Sequence, residues 1–294
     1  MNTIFTGSGV AVITPFNENG IDFDAFSKII DFHLENKTDS IIVCGTTGEA
    51  ATMPDEEHLS AIEFVVKKVN KKIPVIAGTG SNDTAHGIKL SKRAEELGAD
   101  GLLVVTPYYN KTNTQGLINH FKSIADSVNI PIILYNVPSR TGMNISLEVL
   151  EGLRNVKNIV GVKEASGNIS YVAKLAAQFG DRYDLYSGND DMIVPLLSLG
   201  GKGVISVLAN VLPEETHNIC EYYFNGEITK SKDLQLKLLS LVDALFIEVN
   251  PIPVKTAMNL MGYNGGILRA PLYEMSSKNK EILIKELKKN NIKI

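Results

Sequence analysis

Eight short runs of apolar, strand-favouring residues recur along the chain, and helical patterning separates them. The runs begin at Gly9, Ser40, Pro74, Gly101, Pro131, Ile159, Asp184 and Gly203. Between them, apolar positions recur with a period of about 3.6 residues, which predicts amphipathic helices over 23–35, 56–71, 85–97, 116–127, 170–179 and 191–199. Strands that alternate with helices in this way predict a parallel sheet built from βα units.

The number and spacing of these units favour one α/β architecture, the (β/α)8 or TIM barrel. Such barrels repeat a strand and a helix eight times over roughly 250 residues. A helix over 214–224 completes the eighth unit, and helices over 230–247, 254–261 and 276–289 follow it. We therefore assign 1–225 to the barrel and 226–294 to a C-terminal helical extension of the same structural unit. A doubly wound sheet is the alternative, but neither GxGxxG nor GxxxxGK[ST] occurs in the sequence.

Composition narrows the possible classes of protein. The net charge of −4 gives no broad basic face, so we expect neither nucleic acid nor a membrane as a partner. No apolar run approaches the roughly 18 residues of a membrane span, and the N-terminus lacks a signal-peptide pattern, which predicts a cytoplasmic protein. Cys44 and Cys220 are expected to be reduced and buried. The five histidines form no HxH or HExxH motif, so we expect no metal site.

Catalytic groups in such a barrel lie where the strands end, and Lys163 is the most informative residue there. It follows the apolar stretch 159–162, so its side chain should emerge from a buried strand into the barrel mouth. Burial disfavours the ammonium form and lowers the amine pKa, which is the condition for Schiff-base formation with a carbonyl. The alternative is a surface lysine paired with Glu164.

Other strand ends offer groups that suit a carboxylate-bearing substrate. Tyr135 ends the neighbouring strand and could exchange a proton with Lys163 through a bound substrate, or it could be a plain aromatic at the rim. Thr46 and Thr47 lie between glycines, where hydroxyls and free amides can bind a carboxylate, although a simple turn would have the same composition. Arg140 is a two-pronged donor suited to a second carboxylate, or else a surface arginine.

Seven motifs in chain order resemble those of the dihydrodipicolinate synthase family, and the likeness runs from about Phe5 to the last helix. They are GTTGE (45–49), TPYYN (106–110), YNVPSRTG (135–142), GVKEASGN (161–168), SGND (187–190), GVISV (203–207) and NPIPVK (250–255). The resemblance implies a class I aldol-type condensation of pyruvate with L-aspartate 4-semialdehyde. Its product, 4-hydroxy-tetrahydrodipicolinate, belongs to lysine (diaminopimelate) biosynthesis, and the reaction needs no cofactor.

The resemblance also implies a role for each matching residue. Lys163 would form the imine with pyruvate, and Tyr135 would exchange protons with it through Thr46 and Tyr109. In this family the residue matching Tyr109 comes from a neighbouring subunit, and the usual assembly is a homotetramer, a dimer of dimers.

Three further sets of residues complete the expected site. Thr47 would bind the pyruvate carboxylate and Arg140 the semialdehyde carboxylate, while Gly188 and Ile205 would shape the pocket through backbone contacts.

Wider relatives include N-acetylneuraminate lyases and keto-deoxy sugar-acid aldolases. The GTTGE loop and Arg140 favour the synthase, and a sugar-acid aldolase is the runner-up. A non-catalytic barrel that binds a keto acid is a more remote alternative.

Many family members are inhibited by lysine at a dimer interface, and this chain departs from that site. Three of its residues match: His58, Asn82 and Tyr108. Three differ: Ala50 replaces a serine, Asp55 a histidine and His86 a glutamate. The lost glutamate would have paired with the ligand's ammonium group, so we predict weak or absent inhibition by lysine.

Overall fold

The computed structural model describes residues 3–294, and eight parallel strands in it close into a barrel. All eight predicted strands are present. They are β1 (Gly7–Ala11), β2 (Ser40–Val43), β3 (Val75–Gly78), β4 (Gly101–Val105), β5 (Ile132–Asn136), β6 (Ile159–Glu164), β7 (Asp184–Ser187) and β8 (Gly203–Ser206). Each strand pairs with its neighbours in chain order, and β1 pairs with β8. The predicted (β/α)8 barrel is confirmed.

The barrel closes between β1 and β8, where two glycines face each other. Gly7 and Gly203 are register partners. A Cβ atom on Gly203 would lie 1.9 Å from the carbonyl oxygen of Gly7, and the φ angle of Gly203 is 156°. Only glycine fits such a close backbone approach, so the seam of the barrel is specified by this residue.

Twelve α-helices within residues 3–294 surround the strands or follow them. They are α1 (Phe23–Glu35), α2 (Asp55–Val69), α3 (Thr84–Glu96), α4 (Thr114–Ala125), α5 (Pro138–Thr141), α6 (Leu147–Gly152), α7 (Ile169–Phe179), α8 (Ile193–Ser198), α9 (Pro213–Phe224), α10 (Ile228–Leu245), α11 (Ile252–Leu260) and α12 (Ser277–Lys289). The predicted helices are all present within a few residues. The sequence did not predict α5, α6 or the hairpin of Phe16–Asn17 with Gly20–Ile21, because such short elements give little or no repeat to detect.

Apolar side chains pack in two layers. The larger cluster lies between the strands and the surrounding helices, and a smaller one fills the barrel interior. Ile42, Ile76, Ile133 and Ile205 of the smaller cluster are fully buried. Because the interior is packed with side chains, the barrel has no pore, and chemistry is confined to its ends.

The C-terminal helices pack on the barrel, and side-chain hydrogen bonds join the two parts. Gln235 of α10 accepts from the Val194 amide of α8 at 2.7 Å and donates to the Asp191 carbonyl, also at 2.7 Å. Ser231, also in α10, donates to the Ile219 carbonyl of α9 at 2.6 Å.

None of the helices within 3–294 is long and apolar enough to span a bilayer. The same residues include no cluster of histidine, cysteine and carboxylate side chains that could hold a metal ion.

Candidate active site

A cavity of about 200 Å³ opens at the carboxyl ends of the strands, and most of the predicted site residues line it. Lys163, Tyr135, Thr46, Thr47 and Arg140 are all present in its wall, together with Gly188 and Asn250. A larger adjoining cavity of about 450 Å³ shares Thr46, Tyr135, Arg140 and Asn250 with it. The cavity therefore brings together strand ends and a segment of the C-terminal extension, with residues up to about 200 positions apart in the sequence.

Lys163 is a buried lysine whose amine faces an aromatic ring. Its residue exposure is 6%, and Nζ lies 4.3 Å from the centre of the Tyr135 ring. Burial lowers the pKa of Lys163 to about 7, with the Asp190 carboxylate opposing that shift and Arg140 adding to it. A substantial fraction of this amine is therefore neutral near pH 7, and a neutral amine is the nucleophile that attacks a carbonyl.

Glu164 does not pair with Lys163, so the alternative of a surface ion pair is wrong. Strand side chains alternate, and Glu164 points to the other side of β6. One of its carboxylate oxygens accepts from the Asn136 side chain at 2.7 Å and the other from the Ser166 amide at 2.6 Å. Burial raises the pKa of Glu164, and these two hydrogen bonds oppose the rise.

Tyr135 is held beside Lys163 by the register of the sheet. The two residues are directly paired between β5 and β6. Burial raises the pKa of the Tyr135 phenol, opposed first by the charge of Arg140 and then by a side-chain hydrogen bond with Thr46. The phenol is therefore protonated at neutral pH and already connected to a second hydroxyl, as a proton relay requires.

Thr46 and Thr47 lie in a tight loop directly after β2. Two non-glycine residues, Cys44 and Glu49, bound this loop in the left-handed region, each with a φ angle of 56°. Such conformations are costly for side chains with a Cβ atom, so the surrounding structure must hold them in place. The Thr47 hydroxyl accepts a hydrogen bond from the side-chain amide of Asn250 at 3.0 Å.

Arg140 is positioned by α5, which the sequence did not predict, and by the C-terminal extension. Pro138 begins this short helix, and Gly142 ends it with a φ angle of 67°. The guanidinium Nη2 of Arg140 donates to the backbone carbonyl of Asn250 at 2.9 Å. Asn250 thus joins Thr47 to Arg140. The sequence did not predict this role, because Asn250 lies in the extension, far along the chain from the strand ends that it contacts.

Gly188 lies where a larger residue would not fit. A Cβ atom there would come within 2.6 Å of the Ala165 Cβ and 3.1 Å of the Lys163 Cε. Ile205, by contrast, is fully buried in the barrel interior with Tyr135 and is not part of the cavity wall. Because the Ile205 side chain is packed in the barrel interior, only its backbone could contact a substrate at the barrel mouth.

Tyr109 lies outside both cavities of its own chain. Its side chain is 94% exposed, and its φ angle of 68° is left-handed. The neighbouring Tyr108 lines the larger cavity. Within one chain, therefore, this aromatic side chain has little to pack against, and its backbone conformation is an uncommon one for a residue with a Cβ atom.

The residues expected at an effector site lie mostly around the larger cavity. Ala50, His58, His86 and Tyr108 line it, as does Asp55, while Asn82 lies beside it and donates to the Tyr108 carbonyl at 3.2 Å. His86 Nε2 and Asp55 Oδ1 are 2.8 Å apart, and Lys89 donates to the other oxygen of Asp55 at 2.7 Å. These contacts with Lys89 and His86 lower the pKa of Asp55. The carboxylate is therefore already paired within the chain.

Comparisons with known proteins agree with this geometry. Residues 4–290 match the profile of the dihydrodipicolinate synthetase family. A 4-hydroxy-tetrahydrodipicolinate synthase of Caldicellulosiruptor saccharolyticus is 63% identical over 285 residues, covering 97% of this chain and 96% of the relative.

Solved structures give the same result. The dihydrodipicolinate synthase of Aquifex aeolicus has a TM-score of 0.97 and 44% identity, covering 99% of each chain. A second, from Cyanidioschyzon merolae and solved with lysine bound, has a TM-score of 0.95 and 36% identity, covering 99% of this chain and 100% of the other. The full-length match and the identity of the relatives show that this chain belongs to the dihydrodipicolinate synthetase family.

Proposed function

We propose that the chain condenses pyruvate with L-aspartate 4-semialdehyde, through a Schiff base on Lys163, to form 4-hydroxy-tetrahydrodipicolinate for lysine biosynthesis. The observation that carries this proposal is a buried lysine with a pKa of about 7, directly beside a protonated tyrosine at the barrel mouth. The names of the relatives support the same reaction.

The first stage joins pyruvate to the enzyme. The neutral Nζ of Lys163 attacks the keto carbon, and water leaves as the imine forms. The Tyr135 phenol would donate the proton that the departing oxygen needs and recover one afterwards through Thr46 and the Tyr109 of another subunit. Loss of a methyl proton from the imine then gives an enamine, whose carbon is the nucleophile of the next stage.

The second stage forms the carbon–carbon bond. The enamine carbon attacks the aldehyde carbon of the semialdehyde, and the aldehyde oxygen takes up a proton to become the 4-hydroxyl. The amino group of the former semialdehyde then adds to the imine carbon and displaces Nζ of Lys163. Ring closure therefore releases the product and regenerates the free amine. Lysine supplies the electron sink throughout, so the proposal includes no cofactor.

Two carboxylate subsites orient the substrates. Thr47 would hold the pyruvate carboxylate with hydroxyl and backbone donors, and Arg140 would hold the semialdehyde carboxylate. Gly188 and the backbone of Ile205 would complete the wall around the reacting carbons. Because both subsites are uncharged or cationic, they suit two anionic substrates in a protein of mildly acidic net charge.

At larger scale, we propose a cytoplasmic homotetramer, a dimer of dimers in which Tyr109 reaches the partner's site. The 94% exposure of this side chain in a single chain supports that arrangement. We also retain the division into a barrel over 1–225 and a helical extension over 226–294, acting as one structural unit.

Borohydride reduction in the presence of pyruvate tests the Schiff base. We expect the wild-type chain to gain the mass of one reduced pyruvate, located on the peptide that contains Lys163. Lys163→Met should gain none, whereas Lys68→Met, which removes an ion pair with Asp31 between two outer helices, should label fully. Absence of labelling in the wild type would exclude the mechanism and favour a non-catalytic keto-acid-binding barrel.

A turnover assay separates the synthase from the runner-up. We expect product formation from pyruvate with the semialdehyde, and none from N-acetylneuraminate or keto-deoxygluconate in the cleavage direction. Labelling at Lys163 combined with turnover of a sugar acid alone would identify a sugar-acid aldolase instead.

A further inference from the structure

Lys255 is a second buried lysine, and the proposed reaction does not use it. It lies in α11, and its side chain is 1% exposed, as is that of its partner Glu49. Nζ of Lys255 donates to Glu49 Oε1 and to the Ile267 carbonyl, both at 2.6 Å. The other Glu49 oxygen accepts from the Arg269 amide at 2.9 Å. The pair is therefore buried and satisfied by hydrogen bonds.

A buried ion pair contributes little to stability compared with apolar residues of the same size. Removing two charges from water costs more than their attraction regains in many cases. Burial lowers the pKa of Lys255, and the Glu49 carboxylate opposes that shift, so this cost applies here. What such a pair provides instead is a fixed geometry, because its hydrogen bonds are directional and neither partner can pair elsewhere in the interior.

The geometry that this pair fixes is that of the substrate-binding loop. Glu49 ends the loop over 45–49 with a left-handed φ angle of 56°. Its amide donates to the Thr46 carbonyl, and the Gly48 amide donates to the Gly45 carbonyl, both at 3.1 Å. The loop is therefore a single hydrogen-bonded turn, and a shift of Glu49 displaces Thr46 and Thr47 with it.

Both anchors of this turn come from the C-terminal extension. Asn250 donates to the Thr47 hydroxyl, and Lys255, one turn into the following helix, binds the Glu49 carboxylate. The adjacent Arg269 pairs with Glu57 of α2 and lies 3.8 Å from the centre of the Phe16 ring. The extension therefore supplies the side-chain contacts to Thr47 and Glu49, while Tyr135 of β5 supplies the one to Thr46.

We propose that Lys255 and Glu49 are positioning residues for the pyruvate subsite: their buried pair holds the Thr46–Thr47 turn in place for imine formation. This inference rests on the proposed function, since it takes pyruvate as the molecule that Thr47 binds. Neither residue touches substrate. Their effect passes through the turn, and it should therefore be larger for pyruvate than for the semialdehyde. Arg140, which would bind the semialdehyde, is linked to the turn only indirectly, through Asn250.

The test uses three variants of the full-length chain. Lys255→Met leaves the Glu49 carboxylate buried without its cation and is expected to lower the unfolding temperature strongly. The double variant Glu49→Met with Lys255→Met removes both charges at similar volume, and it is expected to fold. Lys68→Met is the control, because it breaks an ion pair between outer helices that are remote from the cavity.

Borohydride trapping at a series of pyruvate concentrations is measured first, followed by steady-state kinetics and thermal unfolding. For the double variant we expect half-saturation by pyruvate to require at least about tenfold more substrate, since a displacement of about 1 Å can cost a hundredfold in rate. We expect the KM for the semialdehyde to stay within about twofold of the wild-type value, because substitutions at sites that do not interact usually change each other's effects by no more than that. The control should match the wild type in both.

Two results would overturn the inference. One is a folded double variant that pyruvate saturates at the wild-type concentration. The other is an equal loss for both substrates that follows the folded fraction, which would make the pair purely structural. Wild-type labelling at Lys163 distinguishes these outcomes from failure of the proposed function, because without it the Schiff-base mechanism itself is wrong.

Discussion

At the residue scale, the unusual property of Lys163 comes from its surroundings and not from any feature of lysine itself. Its amine is buried against the Tyr135 ring, and it interacts electrostatically with both Arg140 and Asp190. Desolvation dominates, and the pKa falls to about 7. Lys255 is also buried, but a carboxylate at 2.6 Å opposes the same fall. Two buried lysines in one chain thus have different chemistry because only one has a direct anionic partner.

The pH dependence of catalysis follows from the pKa of Lys163. Only the neutral amine attacks pyruvate, so kcat/KM for pyruvate should rise with pH and level off above the pKa of about 7. One pH unit below that value we expect a loss of about tenfold, since only about a tenth of the amine is then neutral. Steady-state rates across neutral pH measure this, with activity recovered on return to high pH as the control. A flat profile through neutral pH would contradict the assignment.

The sequence was informative about residues wherever a side chain follows a buried strand. Lys163, Tyr135 and the threonines after β2 were predicted on that ground, and all line the cavity. Asn250 and Glu49 lie within two of the motifs, NPIPVK and GTTGE, but the sequence assigned neither of them a role. Their roles depend on contacts across about 200 positions, and neither periodicity nor composition encodes a contact at that separation.

At the element scale, register and short connections determine the site. The pairing of β5 with β6 places Tyr135 opposite Lys163, and a shift by one residue would turn one of them out of the cavity. The four-residue helix α5 aims Arg140 inward. The long helices were predictable from their period, whereas this helix was not, because one turn gives no repeat to detect.

The cavity between the β2 loop and α3 is where we expect any response to lysine to be decided. His86 and Lys89 each contact one oxygen of the Asp55 carboxylate. Asp55 is therefore not free to pair with the ammonium group of a ligand in this cavity. We therefore predict weak or absent inhibition by lysine, measured as initial rates at saturating and limiting pyruvate. His86→Glu, which restores an acidic side chain at that position, should increase sensitivity. An inhibition constant in the sub-millimolar range for the wild type would refute the prediction.

At the scale of the whole molecule, the C-terminal extension completes an active site that the barrel begins. The strands supply Lys163 and Tyr135, and the extension supplies Asn250, which contacts the loops after β2 and β5. Helices beyond the eighth βα unit therefore contribute contacts to the cavity at the barrel mouth. The barrel end is formed by loops, and loops require external contacts to hold one conformation.

Tyr109 allows the proposed assembly to be tested by mixing inactive variants. If its hydroxyl acts in a neighbouring subunit, Lys163→Met and Tyr109→Phe should each have low activity alone. Chains of the two kinds, unfolded and refolded together, should regain part of the activity, because in each hybrid dimer the Lys163-bearing site meets an intact tyrosine. The loss from Tyr109→Phe should be at least about tenfold, as for other proton relays. Light scattering establishes the oligomer, and no recovery on mixing would contradict the arrangement.

The sequence by itself determined the eight strands, the long helices and the reactive residues that directly follow buried strands. It did so because a strand or helix of sufficient length repeats its pattern locally. Only the tertiary structure decided which loops meet at the barrel mouth, how far the amine of Lys163 is desolvated, and that Lys255 and Asn250 anchor the threonine turn. These depend on dielectric surroundings and on contacts between distant segments, which exist only after the chain has closed into a barrel.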